Sequence, residues 1–160
     1  MSDQEITFTG EYEYSLDSQR RVAIPRGWRV DGVKYYLLPA RGKVLQLIPD
    51  NYFKDFLAKV RKVSLTNAAV GRALALLGSR AQECVCDKQG RISISAKLKE
   101  YAALDSDLVM VGAFTHAQIW ARDAWTEQSE DTDAVLDVID GLFNQDGGDL
   151  IDLLKNLGGK

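Results

Sequence analysis

Two blocks of this 160-residue chain recur in the same order. Glu13, Asp17, Gln19, Arg21 and Ile24 return in register as Glu83, Asp87, Gln89, Arg91 and Ile94, at an offset of 70. Further on, the stretch from Gln46 to Phe53 aligns with that from Gln118 to Trp125 at an offset of 72, a two-residue change that fits a loop. Matched blocks in one order imply two copies of one supersecondary unit. The copies are placed at 5–60 and 80–126, with 61–79 joining them and an acidic stretch at 127–160 beyond. A unit of about 50 residues is near the lower limit for burying its own core. The copies are therefore expected to pack on each other as an intertwined pseudo-dimer within one chain.

Within the first copy the period is that of a strand, since Ile6, Phe8, Tyr12, Tyr14 and Leu16 alternate with Thr7, Thr9, Glu11, Glu13 and Ser15. After Asp17 come three loop residues, Ser18, Gln19 and Arg20, and alternation resumes at Val22 and Ile24, the pattern of a hairpin with a three-residue turn. The last loop position of such a turn needs positive φ. The second copy has Gly90 there, and the first has Arg20, at some conformational cost. Asp17 is expected to face Arg21 across the mouth of the first hairpin, and Asp87 to face Arg91 in the second. Pro25 suits the start of a short helix to about Asp31. Two apolar strands follow at Tyr35 to Leu38 and Val44 to Ile48, then a helix from Asp50, an N-cap candidate, with Tyr52, Phe53, Phe56, Leu57 and Val60 on one face. The predicted class is α+β, each copy reading β-β-α-β-β. The joining segment reads as a bridging helix behind the cap candidates Thr66 and Asn67, with Gly78 at its end. Beyond Trp125, Val135, Val138, Ile139 and Leu142 keep helical spacing. After Gly147 and Gly148 so do Leu150, Leu153, Leu154 and Leu157, which predicts two amphipathic C-terminal helices.

Several functions are disfavoured by residue content. No stretch approaches the roughly 20 consecutive apolar residues of a membrane span, and Met1 to Glu5 lacks the basic and apolar regions of a signal peptide. A cytoplasmic protein with no membrane partner is expected. Cys84 and Cys86 are too few and too close to staple a fold, and alternation puts both on the core face of their strand. The single histidine, His116, excludes a multi-histidine metal site and any triad needing a second imidazole. With no Gly-rich phosphate loop either, neither enzyme chemistry nor a cofactor is expected. Trp28, Trp120 and Trp125 fall at apolar repeat positions and read as core. The net charge of −3 hides a division: residues 1–100 carry 17 basic against 11 acidic residues, a net of +6, and residues 101–160 carry 3 against 12, a net of −9. A basic front suggests a polyanion-binding surface, and the acidic end a solubilising or partner-facing segment.

A two-stranded β-ribbon fits the major groove of duplex DNA, where arginine can take guanine O6 and N7 together. The hairpins supply Gln19, Arg20 and Arg21 from one copy and Lys88, Gln89 and Arg91 from the other. Arg26, Arg29, Lys97 and Lys99, on the short helices that follow, are placed to neutralise phosphates without reading sequence. The same residues admit a second reading, in which the Asp17/Arg21 and Asp87/Arg91 pairs are structural ion pairs closing each hairpin. The chain would then be an interaction or assembly module, antitoxin-like, whose acidic C-terminal helices bind another protein. On residue chemistry alone the two weigh about equally, because a duplicated fold duplicates a structural pair as well.

The segments Phe8-Thr9-Gly10, Leu16 to Pro25, Cys86 to Ile94, and Val111-Gly112 followed by His116, Ile119, Trp120 and Trp125 resemble the MraZ family of bacterial transcriptional regulators, over about Thr7 to Trp125. The doubled D-x-x-x-R with strand flanks carries the likeness. The resemblance implies two tandem AbrB/SpoVT-like swapped-hairpin halves forming an intramolecular pseudo-dimeric barrel. It also implies ring-shaped homo-oligomers, nucleoid association, and binding to repeated boxes in double-stranded DNA upstream of the operon for cell division and cell-wall synthesis. The family's motif arginines fall on Arg21 and Arg91, and its loop positions on 18–20 and 88–90. Family members usually have lysine and glycine where this chain has Gln19 and Arg20, and proline where it has Ser95, so the loop keeps its charge but displaces it by one position. A ring that aligns several hairpins along DNA would gain affinity by avidity from individually weak contacts.

Overall fold

The structure, a computed structural model, describes residues 5–63, 66–128 and 132–144. The chain divides into two units, Met1–Arg122 and Asp123–Lys160. The first copy supplies β1 (Glu11–Ser15), β2 (Arg21–Ala23), a 3-10 turn (Arg26–Trp28), β3 (Lys34–Ala40) and β4 (Val44–Pro49), then α1 (Asp50–Val60). A bridging helix α2 (Ala68–Arg80) leads to β5 (Gln82–Val85), β6 (Arg91–Ser93), α3 (Ala96–Tyr101), β7 (Asp107–Gly112), β8 (Ala117–Ala121) and α4 (Arg122–Gln128). Element order therefore repeats with the sequence, and α5 (Thr132–Asn144) follows.

Local chemistry explains where the elements depart from expectation. The strand expected from Ile6 to Leu16 is shorter, because Gly10 turns the chain at φ +98° and leaves Phe8 as an isolated bridge to Phe114. The helix expected from Pro25 to Asp31 is a single 3-10 turn ending at Trp28. It has no side-chain cap, and it is followed by Val30, Asp31 and Gly32, all weak helix formers. Its counterpart α3 begins behind Ser95, whose hydroxyl accepts from the Leu98 amide at 3.2 Å, and continues through Ala96-Lys97-Leu98-Lys99, all good helix formers. Asp50 is the first residue of α1 and not its cap; it pairs with Lys54 at 3.3 Å and places negative charge at the helix N-terminus. Asn67 does cap α2, accepting from the Ala69 and Val70 amides. Gly78 lies inside α2, which runs on to Arg80. The second predicted C-terminal helix, around Leu150 to Leu157, lies outside the described residues.

The strands form an antiparallel six-stranded sheet, ordered β1-β7-β8-β4-β3-β5, and a two-stranded ribbon of β2 with β6. The pairing crosses between copies: β1 pairs with β7, the third strand of the second copy, and β5 reciprocally pairs with β3. The two fourth strands, β4 and β8, meet in the middle. These exchanges relate the copies by a local twofold. β1 and β5 end the sheet, and among the described residues it does not close into a barrel. The core follows the same pseudo-symmetry, with Val22, Ile24 and Trp28 buried as their counterparts Ile92, Ile94 and Leu98 are. Tyr35, Leu37, Leu45, Leu47, Leu108 and Ile119 complete it from the large sheet. Apolar burial on this scale is the dominant favourable term, and here it is shared between the copies.

Candidate nucleic-acid interface

Period-two geometry gives the β2–β6 ribbon two distinct faces. Val22 and Ile92 are paired and buried, whereas Arg21, Ala23, Arg91 and Ser93 share the other face. Each hairpin is closed by the same set of bonds. The Asp17 amide donates to the Arg21 carbonyl at 3.0 Å and the Arg20 amide to the Asp17 carbonyl at 3.0 Å. One Asp17 carboxylate oxygen accepts from the Gln19 and Arg21 amides at 2.9 and 2.8 Å, and the other from Arg21 Nε at 2.7 Å. Asp87 repeats this with Gly90, Gln89 and Arg91, its side-chain bonds running from 2.9 to 3.0 Å. Backbone amide donation, led by Arg21 in one hairpin and Arg91 in the other, holds both carboxyls below their ordinary 3.8. Arg91 Nη1 also lies 3.8 Å from Asp17, which links the hairpins electrostatically.

The positive-φ position falls where the turn chemistry requires it, at Gly90 (φ +76°) and at Arg20 (φ +59°). Strand pairing continues past the ribbon on both sides, with the Ile24 amide donating to the Gly90 carbonyl and the Ile94 amide to that of Arg20. Arg20 then turns its side chain back, donating from Nε to the Ile94 carbonyl at 3.0 Å. Gln19, Lys88 and Gln89 are exposed at the tips, while Arg21 and Arg91 are half-buried behind them. Arg26 and Lys97 are exposed on the flanking turn and helix. Lys99 is half-buried in a groove of about 670 Å³ under the first hairpin, which Asp17, Ser18 and Arg20 also line.

Arg29 sits differently from the other basic residues. It is half-buried, and its Nε is buried without a hydrogen-bond partner in the structure. A Cβ built on Gly90 would overlap Arg29 Nη1 and lie 2.6 Å from its Cζ, so the guanidinium occupies the space a side chain at 90 would need. Its charge offsets part of the upward push that burial gives the Cys86 thiol. Neither the tip of Arg20 nor the seat of Arg29 was visible in the repeat alone. The one sequence signal for both is that positions 20 and 90, otherwise equivalent, differ as Arg and Gly.

The remaining candidates take structural positions. Cys84 is buried and Cys86 half-buried, with burial pushing the Cys84 thiol up to about 12. Among the described residues no group of three or more His, Cys, Asp or Glu side chains is arranged to hold a metal ion. Trp28 packs edge-on against Tyr12 at 5.2 Å and donates from Nε1 to the Thr9 carbonyl. Trp120 is half-buried and donates to Gln118 at 2.9 Å, and Trp125 is also half-buried. His116 stacks on Tyr52 with ring centroids 6.0 Å apart, and its Nδ1 lies 3.0 Å from the Thr115 hydroxyl. Among the described residues no helix is long and apolar enough to cross a membrane.

The sequence that builds these hairpins has counterparts among known proteins. Residues 77–138 match the family model described as "MraZ protein, putative antitoxin-like". The chain is 34% identical over 126 residues to the Transcriptional regulator MraZ of Moorella thermoacetica, covering 78% of this chain and 88% of that protein. It is 33% identical over 131 residues to the protein of the same name from Thermoanaerobacter sp., covering 81% and 92%. The corresponding protein of Natranaerobius thermophilus is 33% identical over 129 residues, covering 79% and 90%. Likeness of this extent spans both copies of the repeat, and the chain therefore belongs to the MraZ family.

Proposed function

We propose that this protein is a sequence-specific, DNA-binding transcriptional regulator that places its β2–β6 ribbon against the major groove. The observation that carries the reading is the pair of identically built hairpins, with Arg21 and Arg91 on one ribbon face and Gln19, Lys88 and Gln89 at the tips. Asp17 engages the Nε edge of Arg21, which leaves the guanidinium held in orientation and its Nη pair suited to guanine O6 and N7. The aspartates thus serve both earlier readings at once: they close the turns, and by closing them they aim the arginines. Arg20, Arg26, Lys97 and Lys99 contribute phosphate contacts around this centre. The relatives' name, Transcriptional regulator MraZ, supports the same conclusion.

In this reading residues 5–60 and 80–126 are two AbrB/SpoVT-like halves joined by 61–79, forming a swapped-hairpin pseudo-dimer. The protein assembles into ring-shaped homo-oligomers in the cytoplasm, associated with the nucleoid. The rings bind repeated promoter boxes of the operon for cell division and cell-wall synthesis, each hairpin adding a weak contact to the total avidity.

The test is a gel-shift titration on DNA upstream of the protein's own gene, against scrambled DNA, at two salt concentrations, with Arg21→Ala alongside and its fold checked by circular dichroism. A selective shift that weakens with salt and vanishes in the folded variant is expected; a folded Arg21→Ala that keeps wild-type affinity for the upstream DNA, or a wild type that binds both DNAs equally, would reject the reading. Lys97→Ala should weaken binding to both DNAs alike and flatten the log-log salt dependence by about 0.9. A second reading, an antitoxin-like interaction module, is favoured by α5, where Val135, Leu136, Val138 and Ile139 stand exposed beside an all-acidic complement of charge. It predicts that the purified protein carries a protein partner in place of nucleic acid.

A further inference from the structure

The two hairpins are built alike but supported differently. At the second hairpin, the guanidinium of Arg29, from the first copy, lies over Gly90 in the space that a Cβ would fill. The residue equivalent to Gly90 is Arg20, and the residue equivalent to Arg29 is Lys99. At the first hairpin the guanidinium therefore comes from the turn itself, and Arg20 Nε reaches across to the Ile94 carbonyl of the second copy at 3.0 Å. Each hairpin base thus has one guanidinium set against the opposite copy, supplied by the turn at one site and by the residue after the 3-10 turn at the other. Arg29 does this with its Nε buried and unpaired, an arrangement poorly explained by stability alone.

We propose that Arg29 is a positioning residue that sets the pose of the second hairpin, with Gly90 as its seat, and so governs how Lys88, Gln89 and Arg91 meet DNA. Its consequence for recognition rests on the DNA-binding reading, whereas the contact itself does not. Because Arg29 and Gly90 come from different copies, the pair also fixes one copy's reading loop to the other copy's frame. Arg29, half-buried with its Nε enclosed, is not a phosphate contact, which distinguishes it from the exposed Arg20, Arg26 and Lys97.

The experiment is a double-mutant cycle of wild type, Arg29→Ala, Gly90→Asn and the double variant. Asparagine tolerates the left-handed backbone at position 90 but adds the side chain that Arg29 excludes. Gly90→Asn should lower the melting temperature in the wild-type background, whereas adding it to Arg29→Ala should lower it little further. On upstream against scrambled DNA, Arg29→Ala and Gly90→Asn should each lose about tenfold in selectivity with the salt slope unchanged, and the double variant should lose no more than either. An equal cost of Gly90→Asn in both backgrounds, in melting and in selectivity, overturns the proposal. So does an Arg29→Ala protein that keeps its selectivity while its salt slope falls by about 0.9, the signature of a lost phosphate contact. If wild type itself shows no selectivity, the DNA-binding reading fails, and the melting cycle still decides whether Arg29 and Gly90 are coupled.

Discussion

Asp17 and Asp87 each commit both carboxylate oxygens to their own hairpin, and this makes the turns sensitive to acid. Each carboxyl is held below its ordinary 3.8 in the folded protein, chiefly by amide donation. A folded value below the unfolded one means that the contribution is complete above about 3.8 and is lost as pH falls through the lower folded value. The acid limb of thermal stability should therefore steepen below pH 3.8, and Asp17→Asn with Asp87→Asn should flatten it while lowering the melting temperature at neutral pH. His116 has the opposite bearing on charge but the same direction in pH: burial holds its value below the ordinary 6.5. The unfolded chain then takes up a proton that the folded one resists, so stability declines as pH drops below 6.5. As the single imidazole of the chain, its NMR titration should show one midpoint below 6.5; a midpoint at or above that value would contradict its burial against Tyr52. The aspartate and arginine pairings, and the strained backbone at Arg20, were legible in the sequence because every partner lies within four residues. The seat of Arg29 was not, since Gly90 reaches it only through the exchange of strands.

At the scale of elements, capping separates helices that look alike on paper. The 3-10 turn after β2 and the helix α3 after β6 occupy equivalent places, yet only α3 has a side-chain cap and strong helix formers behind it. Both nonetheless bury one large residue, Trp28 or Leu98, so packing sets the position of the element and local propensity only its form. For α2 the cap is Asn67, and Asn67→Ala should lower stability by about 1 kcal/mol in urea titrations, whereas Asn67→Ser should be close to neutral. The periodicity that marked α1, α2 and α5 in the sequence reflects 3.6-residue spacing within each helix, which is local. The edges of the first strand were harder to read, because alternation runs on through Gly10 while the backbone turns there.

Across the whole molecule, the duplication announced two copies, but which strands would be exchanged between them depends on pairings from Leu37 with Gln82 to Glu11 with Val111, far apart in the chain, for which a single sequence carries no signal. The structure resolves this by exchange: neither copy contains the partner of its own first strand. A fragment of residues 1–63 should accordingly self-associate, two fragments exchanging β1 strands, or stay unfolded; analytical ultracentrifugation showing a cooperatively folded monomer would refute the requirement for exchange. Co-expressed fragments 1–63 and 64–160 should copurify as one complex. The same exchange has a consequence in time. During translation β1 emerges about a hundred residues before β7 does, so at about 5–20 residues per second its backbone amides wait roughly 5–20 s for their acceptors. For that interval Tyr14 lacks Leu108, the second-copy residue it is paired with in the folded chain, and the N-terminal half is left with an unpaired strand edge.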